Sequence, residues 1–128
     1  MDNTEKEHWK SDPEDHDFPA AVEYLSLLLD PDAARSTVGA LRHAAGTTKK
    51  AKDLLRASGL PLLPPDNAHV ASDLAKVKAG ERLSPVLLVR GRMQHGLQLT
   101  IADGYHRVCA SYHLDENADI PCRIVDVA

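Results

Sequence analysis

Five consecutive residues hold the densest reactive chemistry in the chain: Asp103, Gly104, Tyr105, His106 and Arg107. Glycine lets a backbone approach a ligand closely. Histidine and arginine offer charge-assisted donors suited to phosphate oxygens. If the run opens a helix, the unsatisfied N–H groups of the first turn and the positive end of the helix dipole favour an anion there too. The predicted chemistry is capture of a phosphate. Gly104, Tyr105, His106 and Arg107 are the candidate binding residues. Asp103 and the loop carboxylate Glu81 are the candidate catalytic acids, able to act as a base or assist a metal. The plainer alternatives are a turn glycine, an N-cap aspartate, a packed histidine and an ion-paired arginine.

The flanking residues supply the elements this chemistry needs. Leu97, Leu99 and Ile101 alternate with Gln98 and Thr100, the period of a half-buried strand. Tyr105, Cys109 and Tyr112 follow at i, i+4 and i+7, one face of a helix. The five residues therefore occupy a strand-to-helix junction. His106 and His113 lie on the same helix about 10 Å apart at 1.5 Å per residue. That is too far to share one metal ion.

Upstream, three helical segments are expected. The first covers 19–29, with Val22, Leu25, Leu28 and Leu29 on one side. The second opens at Asp30-Pro31, a good N-cap followed by a residue suited to the first turn, and runs to Gly46. The third is capped by Thr47 or Thr48, turns Ala51, Leu54 and Leu55 inward, and stops at Gly59. Short breaks favour packing the three as one helical unit. Residues 60–65, rich in proline, read as an extended edge strand. Asp66 or Asn67 caps a fourth helix with Val70, Leu74 and Val77 inward. Residues 86–90 are apolar almost throughout, as in a central strand. Residues 120–127 form the last strand, with Pro121 placing its start near an edge.

Residues 1–17 contain seven acids against Lys6 and Lys10, a net of −5, which leaves +1 for the rest of a chain of net −4. They have no hydrophobic period and one large apolar residue, Trp9, so they read as a disordered acidic tail. The near-neutral remainder does not favour non-specific DNA binding. Lys49, Lys50, Lys52 and Arg56 form a local basic cluster that reads as a solvated helix face, with a nucleic-acid docking surface as the alternative. Cys109 and Cys122 have no metal-finger spacing and read as buried thiols of a reducing cytoplasm. No apolar run approaches the ~18 residues of a membrane span.

The second half of the chain resembles the ParB/sulfiredoxin superfamily over about residues 60–127. Gly80-Glu81-Arg82-Leu83-Ser84-Pro85-Val86 is similar to the family's entry into its central strand. Ile101-Ala102-Asp103-Gly104-Tyr105-His106-Arg107-Val108-Cys109-Ala110 looks like its box at a helix start. The resemblance implies an α+β fold: a small mixed sheet with helices over 60–128, preceded by a helical extension over 18–59 packed on it. It also implies a bacterial, cytoplasmic protein that binds a nucleoside triphosphate, ATP or CTP, with Mg²⁺. Gly104, His106 and Arg107 would contact phosphates, as a small NTPase or phosphotransferase requires. A DNA-associated accessory protein or a protein-interaction module is the alternative. Two departures narrow the reading. Sulfiredoxins carry a catalytic cysteine where this chain has Tyr105. The partition proteins continue into a DNA-reading domain, for which the chain, ending at Ala128, leaves no room.

Overall fold

The computed structural model describes residues 8–128; the expectation for residues 1–7 lies outside the described residues. The fold is α+β, as expected, with a four-stranded mixed sheet and five helices among the described residues. In chain order the elements are α1 (Asp17–Leu25), α2 (Pro31–His43), β1 (Thr47–Lys50), α3 (Ala51–Ser58), α4 (Ala68–Lys78), β2 (Val86–Val89), a 3₁₀ turn (Met93–His95), β3 (Thr100–Asp103), α5 (Tyr105–Leu114) and β4 (Asp119–Val125). The strands lie in the order β1-β4-β2-β3. β4 runs parallel to β2, whereas β1–β4 and β2–β3 are antiparallel.

Helices cover both faces of the sheet. Phe18, Ala21 and Leu25 of α1 and Ala34, Val38 and Leu41 of α2 pack on Leu87, Val89 and Ala102. Leu54 and Leu55 of α3, Val70 of α4, and Val108 and Cys109 of α5 pack on the other face against Val86, Leu88, Ile120 and Cys122. This explains the uniformly apolar β2: alternate residues point into two different cores, so neither parity is free to be polar. Both cysteines are free and buried, and burial pushes the Cys122 thiol up to about 11.

Local signals place most helix starts. Asp30 accepts the N–H of Ala33 at 2.9 Å with Pro31 in the first turn, and Asn67 accepts from His69 and Val70. The structure overturns four other expectations. Thr47–Lys50 is not the start of a helix but the strand β1, paired with β4, so the third helix begins only at Ala51. That helix joins the face opposite α1 and α2, so the three do not form one helical unit. Residues 60–65 form no strand, because Pro61, Pro64 and Pro65 cannot donate to a ladder. The segment is held by side chains instead: the Tyr105 hydroxyl donates to Pro61 O at 2.5 Å, and His113 Nε2 lies 2.7 Å from Leu63 O. β4 is an interior strand despite Pro121, since β1 covers its far side.

Residues 8–17 are also not a solvated tail. Trp9 is 5 % exposed and bridges to Leu83, with Lys10 N–H donating to Leu83 O and Leu83 N–H to His8 O. Asp17, the first residue of α1, is buried. α1 itself ends at Leu25, leaving Leu28 exposed. No helix is long and apolar enough to cross a membrane among the described residues.

Candidate functional site

The junction between β3 and α5 is shaped by three local features. The β2–β3 register shifts between Leu87 and Leu88, with Leu88 opposite Ile101 and Leu87 opposite Asp103, so Ala102 is an extra residue. Such a bulge flips the side chains that follow to the other face, and here it re-aims Asp103. Gly104 then caps α5 with φ +115° and ψ +15°. A Cβ at that position would lie 2.4 Å from Val86 Cγ1 and 3.0 Å from Arg107 Nη2, so no side chain fits there. Finally, no side chain caps the helix, which leaves its first-turn N–H groups without a side-chain acceptor.

Asp103, Gly104, His106 and Arg107 line one cleft of about 200 Å³, as their spacing suggests. The opposite wall comes from α4: His69, Ser72, Asp73 and Lys76. These were not singled out from the sequence. Their spacing at i, i+3, i+4 and i+7 marks one helical face. A polar face is also what every surface helix presents, so only the α4–α5 contact gives it meaning. Two sequence candidates lie elsewhere. Tyr105 turns its hydroxyl to Pro61 O and anchors the proline segment. Glu81 is exposed in the turn after α4 and does not line the cleft.

Arg107 is held from two sides. Its Nη2 donates to Asp103 Oδ2 at 2.9 Å and to Pro85 O at 3.3 Å. Its Nε is buried with no acceptor among the described residues. Asp103 is thus an ion-pair partner and not a helix cap. Burial raises its carboxyl above the usual range, Arg107 opposes this, and the hydrogen-bonded carboxyl of Asp17 adds to the rise. Asp17, at the start of α1, thus acts on Asp103 from outside the cleft lining, a link the sequence does not signal. Asp73 is also raised by burial, with Lys76, 4.0 Å away, pulling it down. The His106 and His69 rings lie 4.7 Å apart. Burial, then the charge of His69, lower the His106 imidazole, while Asp73 opposes. The cleft therefore alternates cationic and anionic groups around a helix start.

The basic cluster divides between elements. Lys49 and Lys50 belong to β1, Lys52 and Arg56 to α3. Lys50 pairs with Asp119 and Arg56 with Asp53, so they do not present one free cationic face. No protein-family model, curated protein or solved structure matches this chain.

Proposed function

We propose that the α4–α5 cleft binds the phosphate groups of a nucleotide, and that residues 60–127 form a ParB/sulfiredoxin-like unit around it. The observation that carries this reading is Gly104: a backbone forced to φ +115° at an uncapped helix start, with Arg107 and His106 in the same turn. Such a start is a ready anion site. Lys76, Ser72 and His69 face it across the cleft and would complete the donor set. At about 200 Å³ the cleft takes the phosphates and not the whole nucleotide, whose base and sugar would lie outside it.

Asp73 and Asp103, the carboxylates of the cleft lining, are the residues that would hold Mg²⁺. Asp73 and Asp103 are partly buried carboxylates whose charge is disfavoured by desolvation, and a hard cation with oxygen ligands would offset that cost. Bound there, it would neutralise phosphate charge. Because Asp103 is occupied by Arg107, the geometry supports binding more directly than phosphoryl transfer. A DNA-associated role has less support, given the paired cations of β1 and α3.

Calorimetry with ATP, CTP and GTP, each with Mg²⁺, is the test. At least one should bind saturably, and Arg107→Ala should weaken it about tenfold or more, the loss expected for charge-assisted bonds. Lys76→Ala, at an exposed position, gives the same readout without disturbing the core. No binding of any triphosphate, or unchanged binding by both variants, overturns the reading.

A further inference from the structure

A second cavity, of about 540 Å³, opens at the other end of β2 from Gly104. Its floor is the sheet, through Leu88 of β2 and Ile124 of β4. One wall is α3, through Leu54 and Ala57. The other wall is the loop that returns to β3, ending at Leu99. Met93 and Leu97, both exposed, add apolar surface at the mouth. This size and an apolar lining with few polar groups are those of small-molecule sites.

The charges at the rim indicate what the cavity takes. Arg90 is paired with Asp126 at 3.0 Å, and Asp53 with Arg56 at 3.3 Å. Lys49 has no acidic partner among the described residues and is the one uncompensated charge of the lining. Its position follows from register. Lys49 stands opposite Ile120, whose side chain points into the core on the α3 face, so Lys49 projects to that face as well. An apolar chamber with one free ammonium at its edge complements a ligand with an apolar body and one negative end.

We propose that this cavity is a binding site for an apolar monocarboxylate, with its hydrocarbon over Ala57, Leu99 and Ile124, the accessible apolar lining, and its carboxylate on Lys49 Nζ. The site shares no residue with the phosphate cleft and does not depend on it.

The test uses octanoate on the full chain, followed by amide chemical shifts, with octan-1-ol and octylamine as neutral and cationic controls. Octanoate should shift Leu54, Ala57, Leu88 and Ile124 saturably. Lys49→Gln, on an exposed edge strand, should weaken it about tenfold, equivalent to ~1.4 kcal/mol. Octylamine should bind no better than octan-1-ol. Ile124→Ala, at a partly exposed position of the lining, should weaken all three. Absence of saturable shifts overturns the proposal. So does equal binding of octylamine, or octanoate binding unaffected by Lys49→Gln.

Discussion

Replacing Gly104 by alanine tests the strand-to-helix junction directly. Two costs add. A non-glycine residue at φ +115° is strained, by ~1–3 kcal/mol. The new Cβ also meets Val86 Cγ1 at 2.4 Å, inside a two-sided core that cannot yield freely. Overpacking of that kind costs ~1–3 kcal/mol. The expected loss is about 2–6 kcal/mol, a large share of the ~5–15 kcal/mol of an ordinary domain. Urea unfolding followed by circular dichroism would show it as a midpoint lowered by about 1–3 M, for a slope near ~2 kcal/mol per M. Gly39→Ala is the internal control: it lies inside α2 with nothing within 4 Å of a new Cβ. There the same change should stabilise by ~0.5–1 kcal/mol. Adding Val86→Ala to Gly104→Ala should remove the Cγ1 clash but leave the backbone strain and the Val86 Cβ at 2.9 Å, so the pair should be non-additive by about 1 kcal/mol. A Gly104→Ala midpoint within error of the parent would refute this account of the junction.

Two further outcomes follow from the site and its support. Trp9→Ala should destabilise by ~3–5 kcal/mol, because the single tryptophan is a core residue and not part of a free tail; an unchanged unfolding midpoint would return Trp9 to the surface. Sulfate, whose charge is constant between pH 5.5 and 7.5, should bind the α4–α5 cleft more tightly at the lower pH. His106 is held below its ordinary value by burial and His69, and a bound anion favours its protonated form, so affinity rises as pH falls through that range. The slope should shrink in His106→Asn. Affinity that is flat or falls on acidification would remove His106 from the site.

The candidate site was half legible. Asp103, Gly104, His106 and Arg107 are neighbours in sequence, and a strand-to-helix junction places neighbours in one cleft by local geometry alone. Tyr105 was misplaced with them, because adjacent helical residues diverge by about 100° around the axis, and its side chain goes to the Pro61 segment. His69, Ser72, Asp73 and Lys76 were not found, since a polar helix face carries no signal of what it faces. Glu81 carries no local signal beyond being a loop carboxylate, and it lies outside the cleft.

What the sequence determined by itself is what short-range physics controls. Asp30-Pro31 and Asn67 start helices because a side-chain oxygen reaches a backbone N–H two or three residues on. The apolar run of β2 reports burial on both faces. The Asp-Gly step breaks strand from helix. Tertiary structure alone decided the rest. Thr47–Lys50 became a strand because β4, far along the chain, offered an open edge on which Thr48 stands opposite Pro121 and Lys49 opposite Ile120. Trp9 found Leu83, and Asp17 found Asp103, through pairings that no local pattern encodes. Those contacts depend on which surfaces the folded chain brings together, and that is set by the packing of both helical layers on one sheet.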